Sequence, residues 1–101
     1  MQQISVEDRD GTCWITLRGD LDQQEVLDLK ARFDQGVQSV TGDVVVDLSQ
    51  VTFIGTLGIG LIVSTHTQLQ GQARALKLTG VPAAIEKTFE TMSLAEIFDR
   101  V

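Results

Sequence analysis

Tyrosine is absent from this chain, and Trp14 is its single tryptophan, beside four phenylalanines. So sparse an aromatic set offers little for stacking bases or sugars. Cysteine occurs once, as Cys13, so no disulfide can form within the chain, as suits a reducing compartment. His66 is the only histidine and falls in the middle of a helical stretch. No cysteine or carboxylate stands near it at ligand spacing, so neither a metal site nor a histidine base is expected. No nucleophile–base pair can be read either, and no enzymatic activity or cofactor is expected.

Positive charge is also scarce. Eight Lys and Arg stand against 14 Asp and Glu, a formal net charge of −6. Phosphate backbones and anionic bilayers repel such a surface, so on electrostatic grounds neither nucleic acid nor membrane is an expected partner. A basic or mixed protein surface is the expected partner. No apolar run nears the ~20 residues of a membrane span. The opening stretch MQQISVEDRDG has neither the basic nor the apolar region of a secretory leader. A cytoplasmic protein is expected.

What is present is one domain's worth of chain, residues 1–101. Ile4 and Val6 mark a first strand, and Arg9–Gly11 (RDG) reads as a hairpin turn. Cys13, Ile15 and Leu17 alternate with Thr12, Trp14, Thr16 and Arg18, which predicts a second strand with one apolar face. Trp14 falls on the polar face, where it either covers neighbouring strands or meets a partner. Asp22 and Glu25 form a capping-box-like pair at the start of a helix. Val26, Leu29, Phe33, Val37 and Val40 give that helix one apolar stripe. VVVDLS, from Val44, has the near-continuous β-branched character of a central strand. A helix follows from about Leu57 to Gln70, then a strand with Leu76 and Leu78 inward. Pro82 opens a last helix with Ile85, Phe89 and Met92 as its stripe. A short edge strand at Glu96–Phe98 is the expected close. The order β-β-α-β-α-β-α implies right-handed parallel crossovers after an antiparallel hairpin. The fold class is α/β: a small mixed sheet, mostly parallel, covered by about three helices on at least one face.

Between the central strand and its helix lies FIGTLGIG, Phe53 to Gly60. It lacks the lysine of a phosphate-binding P-loop, and its glycines do not fit G-x-G-x-x-G. Thr56 stands where the helix N-cap is expected, and a capping bond there is worth ~1 kcal/mol. Two glycines in the first turn, Gly58 and Gly60, cost about 1 kcal/mol each against Ala. They also leave the threonine hydroxyl sterically open. A simple cap and a hydroxyl presented for modification are both consistent with the residues.

Three stretches resemble the STAS domain, and within it the bacterial anti-sigma-factor antagonists. GDLD at Gly19–Asp22 is similar to the family's turn before its first helix. Val44 to Gly60 is similar to its central strand and phosphorylation loop, and SLAEIF at Ser93–Phe98 to its closing segment. The family loop usually reads Asp-Ser-Ser-Gly or Asp-Ser-Thr-Gly. Here Gly55 replaces the Asp and Leu57 the second Ser. The resemblance implies that Thr56 is a phosphate acceptor. It implies that the unmodified protein binds an anti-sigma factor that is also a serine/threonine kinase. Phosphorylation would break that complex, and a phosphatase acting on phospho-Thr56 would restore it. The expected partner surface comprises Gly19, Asp20, Asp22, Ile54, Gly55, Thr56, Leu57, Gly58 and Gly60, with Ile54 and Leu57 as exposed apolar contacts. A monomer or weak dimer is expected. The alternative is a non-switching STAS domain, a structural subunit or ligand sensor in another complex.

Overall fold

A computed structural model describes residues 3–101. The chain runs β1 (Ile4–Arg9), β2 (Thr12–Leu21), α1 (Gln23–Gln38), β3 (Val44–Ile54), α2 (Thr56–Gln70), β4 (Leu76–Thr79), α3 (Ala83–Thr91) and β5 (Asp99–Arg100). The five strands lie in the order β1-β2-β3-β4-β5. β1 and β2 are antiparallel, and every later pair is parallel. Asp10 and Gly11 take φ of 55° and 87°, the pair of left-handed residues that a two-residue hairpin turn requires.

Three parallel crossovers step the same way across the sheet, so right-handedness puts all three helices on one face. Burial follows that rule. Cys13, Ile15, Leu17, Val44, Val46, Leu48, Leu76 and Leu78 share a core with Val26, Phe33 and Val37 of α1, Ile59, Ile62 and Leu69 of α2, and Ile85 and Phe89 of α3. The opposite face has no helical cover. There Trp14 is half-buried, with the Arg9 guanidinium 4.2 Å from its ring centre. A cation stacked on an aromatic face gives both side chains a partner on this open face.

The helix ends are tied by specific groups. The Asp22 carboxylate accepts the Gln24 N–H at 3.1 Å, the cap predicted for α1. The Glu25 half of the predicted capping box lies outside the described side chains. At the other end, α1 has no basic residue in its last turn. Arg74, arriving from beyond α2, donates to the Val37 carbonyl at 2.9 Å and the Gly42 carbonyl at 2.7 Å. Asp43 accepts the Ala75 N–H at 3.0 Å and pairs with Lys77 at 3.3 Å. The Ala75 bond, more than Lys77, holds its carboxyl below the usual aspartate range. Burial pushes the Cys13 thiol up.

Two expectations are corrected at the C-terminal end. The last strand is Asp99–Arg100, not Glu96–Phe98, and it pairs with Lys77 and Leu78. Phe98 is instead 4% exposed, against Phe89 and the edge of His66. A side chain pointing into the core under a turn ends there, and pairing begins one residue later. Met92 is the C-cap of α3 and 46% exposed, so it leaves the stripe that Ile85 and Phe89 form.

Candidate functional site

Because β2 and β3 are parallel, the turns that follow them lie side by side. Leu21 is in register with Ile54, and the Gly55 N–H donates to the Leu21 carbonyl at 2.9 Å. The GDLD and FIGTLGIG stretches, 31 residues or more apart in sequence, therefore meet at one end of the sheet. The Thr52 hydroxyl donates to the Asp20 carboxylate across this junction. Gly19 has φ of +77°, a conformation L side chains rarely adopt, beside the irregularity where β2 and β3 shift register.

Gly55, not Thr56, is the N-cap of α2, and it offers no side-chain bond. Thr56 is the first helical residue and is exposed. Its hydroxyl is held by no hydrogen bond among the described residues. The capping account of Thr56 is thereby removed. A φ of −92° at Gly55 is open to any residue, and an added Cβ would meet only ordinary contacts at 3.5 Å. The backbone thus permits the aspartate that the family carries at this position.

The glycines of the loop differ in purpose. A Cβ on Gly58 would stand 2.9 Å from Ile54 Cγ1 and 3.4 Å from the Leu21 carbonyl, so close packing requires glycine there. A Cβ on Gly60 would meet nothing within 4 Å. Gly58 is buried, and so is Ile54, at 6% exposure. The expectation that Ile54 is an exposed contact is corrected. Its neighbour Phe53 is the exposed residue, 54% accessible, with its ring edge over Gly55. The cause is β3 itself, which carries an extra residue at each of two register shifts against β2. Each bulge breaks the alternation of inward and outward side chains.

Leu57 is exposed as expected, at 42%, and Leu27 of α1 at 59%. Leu27 follows Val26 of the buried stripe and must face outward, a signal present in the sequence. The two leucines border a groove of about 270 Å³ between α1 and α2, lined also by Val26, Lys30, Gly60, Leu61 and Ser64. None of the 15 residues of α2 is Asp, Glu, Lys or Arg, in a chain that is 22% charged. Depletion of charge around exposed apolar residues is the composition of an interface centre. Asp20 and Asp22 are exposed at one margin of this surface, and Gly19 is half-buried.

Among the described residues no helix is long and apolar enough to cross a membrane. His66 is half-buried on α2, with its ring edge-on to Phe98 at 5.2 Å. That places it in packing, away from Thr56.

The family model described as Mlab, STAS domain matches residues 4–99 of the chain. No curated protein matches it. Among solved structures, the anti-sigma factor antagonist SpoIIAA in its unphosphorylated form is 22% identical, over 97% of this chain and 87% of that one, with a TM-score of 0.78. An anti-sigma-factor antagonist (STAS) domain protein from Planctomyces limnophilus is 20% identical, over 96% and 87%, with a TM-score of 0.85. An anti-sigma factor antagonist from Mycobacterium paratuberculosis is 23% identical, over 96% and 82%, with a TM-score of 0.83. At these identities the likeness is one of fold.

Proposed function

The chain belongs to the STAS-domain family, and from that premise we propose that it is a protein-binding module switched by phosphorylation at Thr56. One observation carries the reading. The Thr56 hydroxyl is exposed and unbonded at the first position of α2, between the exposed side chains of Phe53 and Leu57. In the unmodified state those apolar groups meet an anti-sigma factor that is itself a serine/threonine kinase. Phosphate on Thr56 adds close to two negative charges and three acceptor oxygens. The free N–H groups and positive end of the helix hold the phosphate without refolding the domain. The partner, not the domain, carries the cost: charge and bulk arrive at the centre of a contact built from uncharged groups. A phosphatase reverses the change. The partner surface is Gly19, Asp20, Asp22, Gly55, Thr56 and Leu57, extended by Phe53, with buried Ile54 and Gly58 as its support.

The reading is supported by fold neighbours that include SpoIIAA of Bacillus in a phosphorylated form. Binding to the kinase-like protein encoded nearest this gene tests it, using wild type, Thr56→Ala and Thr56→Glu. Ala is expected to retain binding and Glu to lose it, with phosphate incorporated into wild type only. Equal binding by all three, with no phosphate on Thr56, would sink the switch. That result would favour the second reading, a constitutive STAS subunit, for which the missing carboxylate at Gly55 speaks.

A further inference from the structure

We propose that the hairpin turn Asp10–Gly11 is a self-modifying site, where aspartate isomerises to isoaspartate, and that the Asp8 carboxylate holds the reaction in check. The sequence concentrates this chemistry at one place. The chain has no asparagine, and Asp10–Gly11 is its only Asp-Gly pair. Glycine carries no Cβ to shield the amide nitrogen that follows an aspartate. The fold wants the same pair for another reason. Asp10 and Gly11 take φ of 55° and 87°, and a two-residue turn of this kind favours Asn-Gly, Asp-Gly or Gly-Gly. Turn requirement and reactive dipeptide therefore coincide, and both residues are exposed to water.

The step is a ring closure. The Gly11 nitrogen attacks Cγ of the Asp10 carboxyl, an N–Cγ bond forms, and the carboxyl hydroxyl leaves as water with the amide proton. Water then adds to either carbonyl of the succinimide. At Cγ it restores aspartate. At the main-chain carbonyl it breaks the bond to Gly11, and the backbone thereafter runs through Cβ and Cγ. One water leaves and one enters, so mass is unchanged. Two features oppose the closure. Pairing of Arg9 with Thr12 holds Asp10 in its left-handed conformation. The Gly11 N–H donates to Asp8 Oδ1 at 2.9 Å, a bond to a charged acceptor that retains the proton which must leave. The product also disturbs its surroundings. A Cβ on Gly42 would stand 2.5 Å from the Gly11 carbonyl oxygen, and the Cys13 N–H donates to the Asp43 carbonyl at 3.0 Å. A turn longer by one backbone carbon strains this junction. It lies at the far end of the ten-residue β2 from Leu21 and Gly55, so the reaction is independent of any event at Thr56.

The test incubates the full chain for several weeks at neutral pH, both folded and unfolded in guanidinium chloride. Cleavage after Glu7 and Glu25 releases residues 8–25, whose isoaspartyl form separates chromatographically at equal mass. Wild type is expected to form isoaspartate at residue 10 when unfolded, and about tenfold or more slowly when folded. Folded Asp8→Ala is expected to react about threefold or more faster than folded wild type, and at the wild-type rate when unfolded. Asp8→Asn keeps an oxygen that can accept the Gly11 N–H, and its folded rate is expected to fall between the two. An unfolded chain without isoaspartate at residue 10 overturns the site. Folded variants that react no faster than wild type overturn the check by Asp8, as does a folded wild type that reacts at the unfolded rate.

Discussion

The Gly55 amide donates to the Leu21 carbonyl at 2.9 Å, and this bond ties the turn after β2 to the turn after β3. Beyond it, a Cβ on Gly55 would be accommodated at ordinary contact distance. Gly55→Asp is therefore expected to fold unchanged and to stabilise the domain. A carboxylate gains a few tenths of a kcal/mol over glycine as a cap, and about as much again from the helix dipole. Thermal melting checks this. A fall in melting temperature would contradict the open geometry at Gly55.

The two glycines near the start of α2 should respond in opposite ways to alanine. Gly60→Ala gains helix propensity against no clash, about 0.8–1 kcal/mol, which for a domain of this size raises Tm by roughly 4–8 °C. Gly58→Ala forces its methyl to 2.9 Å from Ile54 Cγ1, a buried branch atom with nowhere to go. Strain of about 1–3 kcal/mol cancels or exceeds the same propensity gain. Melting of both variants in dilute solution makes the comparison.

Arg74→Ala is expected to lower stability by about 2 kcal/mol, because the Val37 carbonyl at the end of α1 and the Gly42 carbonyl in the loop beyond it lose a charged donor. That corresponds to roughly 8–16 °C in Tm. Arg74→Lys should recover only part of it, since one ammonium cannot reproduce the planar fork that reaches Val37 and Gly42 together. Full rescue by lysine would show that charge alone matters.

Asp43 gives a pH dependence of known sign. Its folded-state carboxyl lies below the ordinary value of about 3.9, because the charged form accepts the Ala75 N–H and faces Lys77. The contribution is present above that ordinary value and is lost as pH falls through the folded-state value. Asp43→Asn should be less stable at pH 7, by under about 1 kcal/mol for so exposed an ion pair. The gap should close as pH drops below about 4. Urea unfolding of both proteins at pH 7 and pH 3 reads it directly.

Phe53→Ala should separate binding from folding. The ring is 54% exposed, so its loss is expected to cost the domain under about 1 kcal/mol. Loss of an aromatic anchor from a contact centre costs about 2 kcal/mol or more of binding, roughly 30-fold. Titration calorimetry with the kinase-like partner measures it. Unchanged affinity would remove Phe53 from the contact.

Where one rule governs a stretch, the sequence was readable. The stripe from Val26 to Val37 is buried as its spacing predicts, and so is the alternation of Cys13, Ile15 and Leu17, whereas Val40, expected on the same stripe, is buried beyond the end of α1. The site was harder, since its geometry departs from regular rules. Two bulges in β3 bury Ile54, expected to be exposed, and leave Phe53 outside. The cap of α2 shifts by one residue because glycine at that position carries no side chain to mark it. Arg74 reaches α1 from 37 residues away, and no local pattern signals such a bond.

The short last strand has a consequence for local opening. β5 is two residues long, and Val101 donates to the Leu78 carbonyl at 3.0 Å just beyond it. So brief a strand cannot hold itself. What keeps it on the sheet is Phe98, seated against Phe89 and His66. In amide exchange, then, the Val101 proton reports the residence of one aromatic ring. It should exchange with the local unseating of Phe98, well before the protons of β3 that wait for the whole sheet to open.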